Sequence, residues 1–293
     1  MNSYRQFVSA FANLITNGKT LPLGNVPPHD KPVSQAAAPV ALIFSPHPDD
    51  ECIIGGLALR LMREDGMRVI NVAVTLGSKK ERQAGRLQEL KNACDWIGFN
   101  LEQTAPNGLE GINPKTRSAD PQRWAGAVET IANILIKYQP RVLFFPHELD
   151  WNSTHIGTHY LVMDALKSLS PGFTCFLVET EFWGQMAGPN LLVESSTEDV
   201  ADLIAALSFH VEEVRRNPYH LRLPAWMQDN VRRGAELVGG QGGAAPDFTF
   251  ATLYRVRQWR NGAVKEVWTG GKQLGAKDSP AEMFRSCQQM NLK

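Results

Sequence analysis

The stretch Ser45-Pro-His-Pro-Asp-Asp-Glu-Cys52 sets one imidazole and three consecutive carboxylates directly behind an apolar run at residues 40–44. Like charges this close repel, and a cation or a protein partner is needed to offset them. His47 and Asp50 stand three apart at a helix start, so both side chains can turn toward one point. A neutral imidazole and a carboxylate are good ligands for a first-row divalent metal. Asp49, between them, can flank such a metal and take a proton from the water it activates. A tetrahedral catalytic zinc needs a third protein ligand and one open position. His155 and His159 are the candidates: they lie four apart on one helix face in Asp150-Trp-Asn-Ser-Thr-His-Ile-Gly-Thr-His159. Either can reach the metal while the other supports it or faces the substrate.

The elements that must position these residues follow from hydrophobic patterning. Residues 40–45 form a short continuous apolar run, the pattern of a strand buried on both faces. A helix is expected from Asp50 to about Glu64, ended by Gly66. Further strands are expected at 68–76, 141–146 and 174–180, and helices at 81–98, 121–138 and 155–169. Strands alternating with helices imply an α/β fold: a Rossmann-like, doubly wound, mainly parallel sheet with helices on both faces. Ligands of such sheets bind beyond the carboxyl ends of the strands, where both histidine-bearing segments fall.

Farther on, residues 197–217 read as one helix. Residues 248–270 read as two strands joined at Asn261-Gly262, a C-terminal β-hairpin. The expected organisation is an N-terminal arm and linker (1–39), a Rossmann-like catalytic core (40–195), and a helix and hairpin (196–293) completing the same domain. The first strand is not followed by the glycine pattern of a dinucleotide site, and the glycine-rich loop near 239–243 lacks the Lys-Ser/Thr of a phosphate loop.

Composition narrows the partners. Thirty basic and thirty acidic residues cancel in a chain of 293, with 43% hydrophobic residues. That is an ordinary globular balance with no nucleic-acid footprint and no polybasic membrane contact, so a small-molecule substrate is expected. The four cysteines form no CxxC pair and read as buried small hydrophobes in a reducing compartment. Without a signal-peptide pattern or a span of about 18 apolar residues, a cytoplasmic chain is expected. Homo-oligomerisation is left open.

With these motifs in hand, the chain resembles the PIG-L/LmbE family of zinc-dependent de-N-acetylases, which hydrolyse N-acyl groups on amino sugars and related conjugates. His47-Pro-Asp-Asp-Glu51 matches the family's first motif letter for letter. The resemblance implies zinc, or another first-row metal such as iron, held by His47 and Asp50, with Asp49 as general base. The segment from Pro146 to His155 aligns with the family's second motif and gives His155 the third ligand's role. Arg86 and Glu89 match an Arg-x-x-Glu pair whose Arg contacts substrate. One departure is Asn152, where the family often has a histidine that stabilises the oxyanion or protonates the leaving amine. Asn can donate a hydrogen bond but supplies no proton. Asp49 is therefore expected to move the proton alone, with His159 in support; His210 is another candidate for that role.

The implied activity is removal of an N-acetyl or other N-acyl group from an amino sugar conjugate by a zinc-dependent amidase. A metal-binding or sensory module of the same fold without turnover is the alternative, and the retained Asp49 speaks against it. Trp151 is a candidate sugar-stacking residue. Gly55 and Gly56 are expected to let the first helix approach the sheet. His147 reads as a loop residue or as one behind the metal ligands, and His29 and His220 read as surface residues.

Overall fold

The computed structural model describes residues 2–28, 30, 31, 35 and 37–290. Among them, nine strands share one sheet. They are β1 (Val40–Ser45), β2 (Arg68–Ala73), β3 (Asn100–Gln103), β4 (Val142–Pro146), β5 (Cys175–Thr180), β6 (Leu191–Ser195), β7 (Phe250–Arg260), β8 (Ala263–Glu266) and β9 (Lys272–Leu274). Their order is β3-β2-β1-β4-β5-β7-β6-β9, with β8 paired to β7. β1 to β5 run parallel. β7 is antiparallel to both β5 and β6. The helices are α1 (Tyr4–Gly18), α2 (Asp50–Ile53), α3 (Leu57–Arg63), α4 (Lys80–Ile97), α5 (Pro114–Ala119), α6 (Pro121–Tyr138), α7 (Ser153–Ser168), α8 (Thr197–Leu207), α9 (Val211–Arg216), α10 (Leu223–Leu237) and α11 (Pro280–Met290). A 3-10 turn, Tyr219–Arg222, precedes α10.

The sheet is the expected doubly wound, mainly parallel α/β layer. All of β1 is buried because both faces are covered. Ala41 and Ile43 pack with Leu57, Leu90 and Leu203 on one face; Leu42 and Phe44 pack with Trp124, Ile131 and Leu161 on the other. Between adjacent β1 and β4 the winding reverses, which opens a crevice beyond their carboxyl ends. His47 follows β1 and His155 follows β4, so the two motifs meet there.

Three departures from the sequence expectation have identifiable causes. The helix expected from Asp50 onward is broken between α2 and α3. Gly55 there has φ +82°, and a Cβ on it would meet Thr252 Oγ1 at 2.2 Å. Tyr254 of β7 fills the break: its hydroxyl donates to Ile54 O at 2.7 Å and accepts from Leu57 N at 3.3 Å. The helix expected over 197–217 splits into α8 and α9 at His210, whose ring is held by Glu51 in the interior. Residues 248–270 do turn at Asn261-Gly262, both with positive φ as a tight hairpin demands. There β7 does not stand apart; it inserts between β5 and β6.

The arm before β1 lies against the body where it is described. Trp96 Nε1 donates to Pro27 O at 3.0 Å, and Lys31 pairs with Asp95 at 2.9 Å. α1 carries an exposed apolar stripe of Tyr4, Phe7, Val8 and Leu14. No helix among the described residues is long and apolar enough to cross a membrane.

Candidate metal centre

Beyond β1 the chain turns sharply. Thr75 Oγ1, past the end of neighbouring β2, donates to Pro46 O at 2.7 Å and pins the turn. Asp49 adopts φ 112°, a left-handed conformation rare for a residue with a side chain. Its cost, about 1–3 kcal/mol, is offset in part because Glu51 Oε2 accepts the Asp49 N–H at 2.9 Å. Adjacent Asp49 and Asp50 consequently find different partners. Beyond β4, Asn152 caps α7 by accepting from Thr154 N at 2.8 Å, which places His155 in the first turn. Gly157 lets α7 approach the 112–113 backbone; a Cβ there would meet Ile112 C at 2.5 Å.

His47 Nδ1, Asp50 Oδ2 and His155 Nε2 form a nearly equilateral triangle. Its edges are 3.2 Å (His47–His155), 3.3 Å (His155–Asp50) and 3.4 Å (His47–Asp50). A tetrahedral ion with bonds of about 2.0–2.1 Å has ligand–ligand edges of about 3.3–3.4 Å, so the donor set and its spacing fit zinc or a similar ion. His155 Nδ1 lies 3.6 Å from Asp150 Oδ1, longer than a hydrogen bond but placing a carboxylate behind the ring, where metal-bound histidines commonly have one. Asp150 Oδ2 in turn accepts from Trp183 N and Gly184 N, both at 3.2 Å.

The electrostatics favour a cation at the triangle. Burial opposes a charge on His155, yet the Asp50 and Asp150 carboxylates overcome it and push its pKa up to about 10. Burial likewise opposes charge on Asp50, and the His155 and His47 rings hold it well below the usual carboxylate range. Asp49 differs. Burial, then the Asp50 charge, push its pKa up to about 7, the range of a working base. Its Oδ2 accepts from the Tyr219 hydroxyl at 2.5 Å and lies 3.8 Å from Arg86 Nη2.

Among the described residues, two other clusters have ligand-like composition, but each is already neutralised. Glu179, beside His159 and Glu148, is clasped by Arg255 at 2.6 Å and Arg257 at 2.7 Å. Glu51, beside Cys52, pairs with His210 at 2.7 Å, and the remaining Glu51 oxygen holds the Asp49 N–H.

Beside the triangle lies a cleft of about 460 Å³, lined by His47, Thr75, Gln83, Asn113, Asn152 and Thr154 among others. Asn152 therefore faces the space next to the metal ligands, with its amide oxygen committed to the cap. Arg86 donates to Pro48 O at 2.8 Å and so braces the turn next to Asp49. His159 is not brought to the triangle. Its Nδ1 lies 3.0 Å from Pro146 O and 3.4 Å from Glu179, and burial lowers its pKa. Trp151 is 80% exposed on the loop before α7. His147 is buried and bonds Gly184 O at 2.9 Å. His220, expected on the surface, is buried because the 3-10 turn packs it inward against α8 and α10. His29 and the Cys287 side chain lie outside the described residues; the other three cysteines are buried and free.

The GlcNAc-PI de-N-acetylase (PIG-L) family profile matches residues 42–166, from β1 through the ligand-bearing part of α7. Residues 42–166 are thus similar to a PIG-L family domain. No curated protein matches the chain. Among solved structures, a conserved protein of Thermus thermophilus shares 20% identity and a TM-score of 0.54, covering 73% of this chain and 93% of that one. An N,N'-diacetylchitobiose deacetylase of Pyrococcus horikoshii shares 18% and 0.53, over 87% and 93%. A 4-carboxy-2-hydroxymuconate hydratase of Pseudomonas putida shares 17% and 0.54, over 74% and 95%. At these identities the likeness establishes the fold.

The profile-matched segment supplies His47, Asp49, Asp50 and His155, while Tyr219 and His210 reach the same turn from outside it. Neither Tyr219 nor Asp150 was singled out from sequence. Asp150 carried one usable signal, a carboxylate five residues before a ligand histidine; Pro218-Tyr219-His220 carries none.

Proposed function

We propose that the chain is a zinc-dependent de-N-acetylase that hydrolyses the N-acetyl group of an amino sugar or related small conjugate. The observation that carries this reading is the triangle of His47, Asp50 and His155 with an uncoordinated carboxylate, Asp49, beside it and a polar cleft alongside. The family match and the deacetylase neighbour support it.

A divalent ion held by the three residues supplies Lewis acidity toward the amide carbonyl and acidifies water toward a pKa of about 7. Asp49 is the proton carrier. It takes a proton from the attacking water and returns it to the amine nitrogen as the C–N bond breaks, because an unprotonated amine is a poor leaving group. With its oxygen held by the cap, Asn152 offers its amide N–H to the developing oxyanion. His159 braces the Pro146–Glu148 turn. Arg86 holds the Asp49 turn through Pro48 O, and Trp151, exposed one residue before the cleft-lining Asn152, offers a face to the conjugate.

The same fold carries a hydratase in one neighbour, so the reaction class is decided by assay. Amine and acetate release from N-acetylglucosamine conjugates by the zinc-loaded chain is expected, lost in Asp49→Asn with zinc retained. Metal binding without release in the parent, across a panel of N-acetyl amino sugars, would instead favour the non-catalytic alternative.

A further inference from the structure

Asp49 is the residue on which the proposed proton transfers depend, and its two oxygens are not equivalent. Oδ2 receives the Tyr219 hydroxyl at 2.5 Å. Arg86 Nη2, at 3.8 Å from the same oxygen, is beyond hydrogen-bond range and donates to Pro48 O. Among the described residues no group bonds Oδ1. Tyr219 thus makes the single hydrogen bond to this carboxylate.

The phenol is built to stay in place. Its ring stands edge-on to Trp183, with centroids 5.8 Å apart, and its backbone N–H donates to Asn217 O at 2.8 Å within the turn leading to α10. Burial, reinforced by the Asp49 charge, keeps the phenol protonated far above its ordinary range, so the bond has one direction: Tyr219 donates and Asp49 accepts. The Asp49 backbone is fixed separately, through Glu51 and the buried Glu51–His210 pair. Backbone fixation leaves the side chain free to rotate between staggered positions.

We propose that Tyr219 is a positioning residue of the hydrolysis: its hydroxyl locks Asp49 in one rotamer and leaves Oδ1 as the oxygen that takes and returns the proton. The site is then completed by a segment about 50 residues beyond the family-matched part of the chain. The inference rests on Asp49 being the base, as argued above.

The test is Tyr219→Phe, which keeps the ring and its contact with Trp183 and removes only the hydroxyl. In the zinc-loaded enzyme, kcat for amine release is expected to fall about tenfold to a hundredfold, with KM, zinc content and thermal midpoint unchanged. In an Asp49→Asn background the same change is expected to add no further loss, as for groups that act as a unit. Wild-type kcat in Tyr219→Phe, or losses that multiply in the double variant, would overturn the proposal. A crystal structure of Tyr219→Phe reads it without turnover: Asp49 is expected in more than one rotamer, and a single unchanged rotamer overturns the proposal. If Asp49→Asn keeps full activity, the base assignment itself fails, which is a separate outcome from a normal Tyr219→Phe beside an inactive Asp49→Asn.

Discussion

The carboxylate of Asp150 lies 3.6 Å from Nδ1 of His155, while Nε2 of the same ring meets His47 and Asp50. The contact is longer than a hydrogen bond, but the Asp150 charge favours a proton on Nδ1, which leaves Nε2 with its lone pair toward the metal position. Asp150→Asn is expected to weaken zinc binding about tenfold to a hundredfold, measured by competition with a chelator of known affinity. Unchanged affinity would show that the ring is oriented by packing alone.

Zinc should stabilise the fold through the same three residues. At a free concentration a hundred times Kd the gain is about 2.7 kcal/mol, visible as a rise in thermal midpoint. His155→Ala removes a fully buried ligand, and the expected result is a midpoint that no longer moves with zinc. A persisting rise would place the ion elsewhere.

Asp49 predicts a pH-dependent cost in the metal-free protein. Its folded pKa, about 7, lies above the ordinary 3.8 because burial and the Asp50 charge disfavour ionisation. A raised folded value means that the contribution to stability is fully present below about pH 4 and lost as pH rises through about 7. Asp49→Asn avoids that loss. The metal-free variant is expected to be more stable than the parent at pH 8, by on the order of 4 kcal/mol, with the gap closing toward pH 4. A gap independent of pH, read by urea denaturation, contradicts the assignment.

The break between α2 and α3 makes a steric prediction. Gly55→Ala puts a methyl 2.2 Å from Thr252 Oγ1 on a backbone with φ +82°. The expected loss of stability is about 2–3 kcal/mol. A loss within about 0.5 kcal/mol, the scale of a neutral surface change, would mean that β7 and the helix break can separate cheaply.

Much of this architecture was legible because it depends on local pattern. Continuous apolar runs marked β1 and β4, and ligand types at their carboxyl ends marked the crevice. The three-residue spacing of His47 and Asp50 survives in the structure as a 3.4 Å approach. What escaped depends on distant partners. The helix break needed Tyr254, some 200 residues away, to satisfy the freed backbone groups of Ile54 and Leu57. The Asn261-Gly262 turn was readable, whereas the insertion of β7 between β5 and β6 is set by sheet packing. Spacing alone could not choose between the two histidines four apart on α7, and only the family resemblance favoured His155; His155 meets Asp50, whereas His159 faces Glu179, which β5 supplies from the neighbouring strand. Tyr219 was invisible because a hydrogen bond across 170 residues leaves no spacing to read.

The convergence of His47, Asp50 and His155 on one cation is tested most directly by zinc content after dialysis against metal-free buffer, compared between the parent and its three single alanine variants. One equivalent per chain in the parent and almost none in each variant is the predicted result. Retention by the variants, as would follow if Glu148, His159 and Glu179 held the ion, would contradict it.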